Sequence, residues 1–243
     1  MTLSCRLLPD ADADGPANMA DDEVLLRSAA SGQPTLRFYG WTEATLSLGY
    51  FQPAARRLKD PLLRDLPFVR RPTGGDALVH HHELTYCLAV PAEQARRSAA
   101  PWLAMHEILA TALAEFSVDA HPHVACGEDS FSGFLCFEHF TPGDLIVNGA
   151  KVVGSARRKQ RDAVLQHGSI LLARSPFTPS LSGIRELTGV NLDVSGLRVA
   201  IVHHLERRSG WQVEAGAWTE EEQRARVALA AERYATDAWN CKR

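Results

Sequence analysis

Net charge, paired cysteines and long apolar runs are what this chain has little of. Its 26 Lys and Arg stand against 29 Asp and Glu, a formal charge of −3 over 243 residues. No global positive field exists to hold a nucleic-acid backbone or an anionic membrane, and neither is expected as a partner. The five cysteines, Cys5, Cys87, Cys126, Cys136 and Cys241, are odd in number, scattered and without a CxxC pair, so neither a disulfide framework nor a zinc site is suggested. Any sulfur chemistry then falls to one thiol acting alone. No apolar run approaches the roughly 18 residues of a membrane span, and the opening MTLSCRLLPDADAD turns acidic before a signal-peptide core can form. A cytoplasmic location is therefore expected. Linkers rich in Gly, Ser or charge are missing too, as are internal repeats, and 1–243 reads as a single domain.

What the chain does have is 45% hydrophobic and 23% charged residues, the balance of a globular protein rather than of a disordered segment or a coiled coil. DDEVLLRSAASG predicts a short helix ended by Gly32. TLRFYGW and ATLSLGYF are rich in the β-branched and aromatic residues of half-buried strands. PFVRR, ALVHH and ELTYCLAV predict three further strands, read together as a meander. In WLAMHEILATALAEF, Leu103, Ile108, Leu109 and Leu113 fall along one face, which predicts an amphipathic helix over 102–116. DLIVNGAKVVGSA predicts a hairpin, because Asn148-Gly149 tolerates positive φ at both central positions of a tight turn. A strand follows over 164–172, and RVAIVHHLE fits a strand or a buried helix equally. Thr219 with Glu222 forms a capping-box pattern ahead of a helical stretch reaching about Ala235. Neighbouring strands with segregated helices point to an α+β fold with a mixed, mainly antiparallel sheet.

Two segments carry unusual residues. In RRPTGGDALVHHHELTY, Gly74 and Gly75 make either a plain hairpin turn or a loop whose amides approach a ligand closely. Arg70 and Arg71 read as a solvated face, with at most one able to point into a site if the strand alternates. His80 and His82 share a strand face, but two imidazoles without a third ligand are a weak metal signal, and a structural role is favoured. In CFEHFTPGDLIVNGAKVVGSARRKQRDAVLQHGSILL, Lys151 sits just past the hairpin turn among apolar neighbours, where its ammonium is either exposed or held against a carbonyl or phosphate oxygen. Cys136 lies between Leu135 and Phe137, a setting typical of an inert buried thiol.

Taken together these segments resemble the lipoate-protein ligase and octanoyltransferase family, whose fold is related to biotin protein ligase. The resemblance runs through NMADDEVLL, RFYGWTEATLSLGYFQ and RRPTGGDALVHHHELTY to GDLIVNGAKVVGSARRKQRDAVLQHGS, and AERYATDAWN resembles the helix closing the catalytic domain. It implies that Arg70, Arg71, Thr73, Gly74 and Gly75 wall an acyl pocket. It also implies that Lys151, in a GxKxxGSA motif completed by Gly154 and Ser155, contacts the activated acyl carboxyl, with His80 and His167 nearby.

The family holds two chemistries: ATP-dependent ligases that form a lipoyl-adenylate, using ATP and Mg, and octanoyltransferases that carry octanoate as a cysteine thioester and require no cofactor. Cys136-Phe137, fifteen residues before Lys151, resembles the nucleophile dipeptide of one octanoyltransferase branch. The chain also ends where a ligase accessory domain would begin, which favours the same branch. Asp76 stands where that branch has arginine and ligases have glycine, and Arg157 replaces a glutamine. The resemblance thus implies transfer from octanoyl-acyl carrier protein through Cys136 to a lysine of a lipoyl domain or of glycine-cleavage H protein. The alternatives are an ATP-dependent lipoate ligase, with Cys136 as packing, and a non-catalytic adaptor that binds lipoyl domains. A biotin ligase is disfavoured because a GRGRxGR-type loop is absent.

Overall fold

The computed structural model describes residues 3–97, 101–124 and 133–243. Among these residues, twelve strands fall in two sheets. They are β1 (Ser4–Leu7), β2 (Ala11–Ala13), β3 (Thr35–Trp41), β4 (Thr45–Leu48), β5 (Phe68–Arg70), β6 (Leu78–His80), β7 (Glu83–Pro91), β8 (His121–Pro122), β9 (Leu145–Val147), β10 (Ala150–Lys159), β11 (Ala163–Leu171) and β12 (Gln212–Ala215). The large sheet runs β12-β1-β3-β7-β11-β10-β9-β8, with β2 also on β3. Its β3-to-β8 stretch is antiparallel throughout, and only the β12, β1 and β2 pairings are parallel. This is the mixed, mainly antiparallel α+β architecture that the sequence predicts.

Among the described residues seven α-helices accompany the sheets: α1 (Gly15–Ser28), α2 (Ala92–Arg97), α3 (Pro101–Ala114), α4 (Ile184–Thr188), α5 (Val194–Ser209), α6 (Glu220–Leu229) and α7 (Asp237–Asn240). No helix among the described residues is long and apolar enough to cross a membrane. Helix α1 begins six residues before the predicted start. Asp14 caps it by accepting from the Ala17 amide at 2.8 Å, and Pro16, which needs no donor there, fills the first turn. RVAIVHHLE resolves as part of α5, half-exposed, with Leu197, Ala200, Ile201 and Leu205 buried. In α3, Ile108, Leu109 and Leu113 are buried as a face; the side chain of Leu103 lies outside the described residues, as does Cys126.

Strand alternation explains how the sheet is covered on both sides. Leu36, Phe38, Leu84, Tyr86 and Ile170 face α3 and α5, while Tyr39, Cys87, Ala89 and Leu165 face α1. Each fully buried Leu or Phe contributes roughly 2 kcal/mol of transfer free energy. The same alternation turns His167 of β11 toward α1.

The small sheet corrects the expected meander. Its order is β5-β4-β6, with β5 parallel to β4 and β6 antiparallel to it. Residues 49–67, which include a 3-10 stretch Ala54–Lys59, are long enough to carry the chain back across, so sequence neighbours need not be hairpin partners. Meanwhile β7 leaves this sheet to pair with β3 and β11. The site lies where the two sheets meet.

Candidate active site

Cys136 opens a 3-10 turn, Cys136–Glu138. The turn is fixed from both ends: the Cys136 amide donates to Ala77 O at 2.7 Å, and the Glu138 carboxylate accepts from the Leu135 amide at 3.1 Å. Leu135 and Phe137 are buried, which leaves the intervening sulfur half-exposed on the wall of a narrow cavity of about 70 Å³. The inert-thiol reading fits other cysteines instead. Burial pushes the Cys5 thiol up to about 12 and that of Cys87 well above its ordinary value; neither supplies thiolate near neutral pH.

Lys151 is buried at 3% exposure, so the exposed reading of its ammonium is excluded. Its Nζ lies 3.6 Å from Cys136 Sγ, 3.1 Å from Cys136 O and 2.7 Å from the carboxylate of Asp144. Asp144 also accepts from the Thr141 amide, so it holds both the lysine and the turn behind it. Gly154 leaves room for this lysine: a Cβ there would stand 2.8 Å from Lys151 Cε. Lys151 does not line the cavity itself but reaches the sulfur from behind, from a groove shared with Phe140 and Leu181.

The two arginines are buried, not a solvated face. Their hydrogen-bonding capacity is met by main chain. Arg70 points away from the cavity, donating to Gly49 O, Gln52 O and Asn240 O, and so ties β5 to α7. Only Arg71 lines the cavity, donating to Ser47 O, Gly74 O and Asp76 O. Burial lowers its pKa, and the Cys136 thiol and Asp76 oppose that. A guanidinium stays charged in this range, so Arg71 is a second cation beside the sulfur. Gly75, at φ 88, closes the loop, and its carbonyl passes so near Gly49 that any Cβ at Gly49 would overlap it. Thr73 and Gly74 sit behind this loop; Gly74 lies under Phe51.

Behind the loop runs a buried relay. His167 Nε2 and Thr73 Oγ1 are 2.7 Å apart, His167 Nδ1 and Asp22 Oδ2 are 2.7 Å apart, and Asp22 also accepts from the Tyr39 hydroxyl and the Arg37 guanidinium. The inner end is equally bonded: His80 contacts Glu83 at 2.6 Å and Ser47 at 2.7 Å and stacks on Trp41, while Thr85 and Ser169 donate to Glu83. Because these hydroxyls and imidazoles are spent on one another, the cavity presents chiefly carbon to whatever enters it. Gly154, Ser155, His80 and His167 all line it. His82 is exposed and is not part of the site. Among the described residues the one cluster with metal-like spacing is Glu115, His203 and His204, on α5 and the end of α3, remote from these residues.

Asp22, Asp144 and Glu83 were not singled out by sequence reasoning. Asp22 carries a signal nonetheless: it shares a helical face with Leu25 and Leu26, where a carboxylate is out of place unless it is partnered.

Residues 14–186 match the model of the lipoyl protein ligase A/B catalytic domain. The chain belongs to this family. Within it, the chain is 32% identical to octanoyltransferase LipM of Halalkalibacterium halodurans, covering 98% of this chain and 99% of that one. It is 34% identical to LipM of Brevibacillus brevis, over 96% and 97%, and 32% identical to LipM of Bacillus subtilis, over 98% of each. Among solved structures, lipoate-protein ligase A bound with ATP superposes at a TM-score of 0.76 with 21% identity, over 98% of both chains. A chain of the Thermoplasma acidophilum lipoylation system, a bi-partite lipoate protein ligase and its E2 lipoyl domain, superposes at 0.75 with 19% identity, over 99% and 97%. These two establish the shared fold.

The two departures from the family pattern sit differently. Asp76 joins the pocket loop to the cysteine turn, accepting from Gln52 Nε2 at 2.9 Å and lying 3.3 Å from His139 Nε2. Arg157 lines a separate groove with Met105 and Trp211, on the other side of the sheet.

Proposed function

We propose that this protein is an octanoyltransferase of protein lipoylation, acting as one catalytic domain that moves an octanoyl group by way of a thioester on Cys136. The observation carrying the reading is the approach of Lys151 Nζ to Cys136 Sγ, 3.6 Å, at a cavity whose other wall is the loop with Arg71 and Gly75. The LipM relatives support octanoyl transfer as the reaction.

In the first half-reaction the Cys136 sulfur attacks the thioester carbon of octanoyl-acyl carrier protein. A new S–C bond forms, the donor C–S bond breaks, and the proton of the Cys136 thiol leaves on the carrier thiol. Lys151 and Arg71 favour the thiolate by their charge. Lys151 also faces the carbonyl oxygen as negative charge develops there, an interaction worth about 3 kcal/mol when one such donor is removed. The octanoyl chain occupies the carbon-lined cavity, with Gly154, Ser155, His80 and His167 along its wall. In the second half-reaction the ε-amine of a lysine, on a lipoyl domain or on glycine-cleavage H protein, attacks within about 3.5 Å of the carbonyl carbon. A C–N bond forms, the S–C bond breaks, and the amine proton returns to Cys136. The first half-reaction keeps the acyl group at the thioester level and the second, which forms the more stable amide, is downhill, so no ATP is needed to balance the reaction.

The test is transfer from octanoyl-acyl carrier protein to an apo-lipoyl domain, with and without ATP and Mg. Transfer without ATP is expected, along with a greatly reduced rate in Cys136→Ser. Strict ATP dependence would instead make the protein a lipoate ligase, and binding without transfer would make it an adaptor.

A further inference from the structure

One edge of the site carries charge opposite in sign to the molecule as a whole. Although the chain totals −3, four cations surround the aromatic rings of Tyr50, Phe51 and Phe134. Lys242 Nζ lies 3.6 Å from the Tyr50 ring centroid, and the guanidinium carbon of Arg158 lies 5.6 Å from it. Arg243 lies 5.3 Å from the Phe51 ring, and Arg56 lies 5.2 Å from that of Phe134. None of the four pairs with a carboxylate among the described residues. Phe51, in their midst, is 68% exposed.

This cluster is joined to the two segments that carry lining residues, the loop between Arg71 and Gly75 and the turn that opens at Cys136. The Tyr50 amide donates to Thr73 O at 2.8 Å, Arg158 donates to Pro72 O, and Phe51 covers Gly74. On the other side, Phe134 leads within two residues to Cys136. A macromolecule seated on Phe51 therefore rests against Gly74, next in the chain to the lining residue Gly75, and near the turn that carries the sulfur.

Resting on the proposed transferase reading, we propose that this face docks the donor: an acidic carrier protein that presents its acyl group on a phosphopantetheine arm. The charge selects between the two substrates. The proposed donor brings a phosphodiester and an acidic surface toward the pocket, which four cations without carboxylate partners among the described residues attract; the acceptor brings a lysine ammonium, which they repel. Phe51 supplies the exposed aromatic anchor inside a polar rim that such interfaces need.

The experiment compares Arg56→Glu/Arg243→Glu with the parent, using three readouts. The KM for octanoyl-acyl carrier protein is expected to rise about tenfold with kcat little changed, and the salt dependence of that KM to flatten. With octanoyl-pantetheine, which has neither carrier nor phosphate, the two proteins should behave alike, and the KM for the lipoyl-domain acceptor should not move. Carrier binding is also titrated onto Cys136→Ser protein with and without the charge reversals, so that docking is decided independently of turnover. Equal carrier affinity in both would overturn the docking face, as would a rise confined to the acceptor KM, which would give the face to the lipoyl domain. Carrier binding that depends on the charges, in a parent that transfers no acyl group, would overturn the transferase reading and leave the docking face standing.

Discussion

At the scale of single residues, two cations, Lys151 and Arg71, are held beside one sulfur. Lys151 is neutralised in part by Asp144, so its value lies in position as much as in charge. Lys151→Ala should lower kcat by about 100- to 1000-fold while leaving carrier binding nearly intact, because the interaction strengthens mainly in the transition state. Single-turnover rates and carrier titration measure the two effects separately; equal loss of both would make Lys151 a docking residue. Asp22 acts at one remove. Asp22→Asn keeps the shape but leaves Arg37 and His167 facing a neutral amide, and should cost about 3 kcal/mol in urea unfolding as well as slowing transfer. Sequence reasoning could name Cys136, Lys151 and the glycine loop because their motifs are local strings, and the structure brings the first two within 3.6 Å. It did not reach Asp144 or Asp22, whose partners lie far along the chain, and it set Arg70 in solvent because no pattern in VRR reveals that main-chain carbonyls surround it.

At the scale of elements, what was legible was whatever local chemistry decides. The Asn148-Gly149 turn is the clearest case, with φ of 47° and 78° at the two residues joining β9 to β10. A Cβ at Gly149 would meet nothing within 4 Å, so Gly149→Ala isolates the conformational cost. The expected loss is about 1 kcal/mol, read as a lower urea midpoint at an unchanged slope; a larger loss with a changed slope would mean the hairpin had shifted register. The Thr219 capping box is equally local, its hydroxyl accepting from the Glu222 amide. By contrast, the parallel pairing of β4 with β5 depends on where 49–67 runs, and periodicity does not encode that. Short strands such as β1 and the edge strand β12 were invisible for the same reason: four residues each, they are strands because of partners far along the chain, β12 on β1 and β1 also on β3.

At the scale of the molecule, ion pairs with buried carboxylates bind the N-terminal part of the chain to the C-terminal part. Arg6 on β1 grips Glu222 on α6, with contacts of 2.7 and 2.8 Å, and Asp21 on α1 holds both Arg37 and Arg226. Burial opposes ionisation of Glu222, yet the Arg6 guanidinium and the Thr219 amide outweigh it and bring the carboxyl from 4.5 to about 2. A depressed carboxylate stabilises the fold fully above its unfolded value and loses that contribution as pH falls toward the folded one. The melting temperature should therefore decline between about pH 4.5 and 2 more steeply in the parent than in Glu222→Gln, and identical profiles would remove Glu222 from the account. The α+β class was readable from the order of elements, while the joint between the two sheets, where the cavity forms, was not, since it arises from contacts between residues such as Trp41 of β3 and His80 of β6. The central claim is that Cys136 carries the acyl group, and the direct measurement is peptide mass spectrometry after incubation with octanoyl-acyl carrier protein alone. The account predicts a hydroxylamine-labile octanoyl adduct on the peptide containing Cys136, formed without ATP and discharged by an apo-lipoyl domain. An adduct on another cysteine, or full transfer by Cys136→Ser, would contradict it.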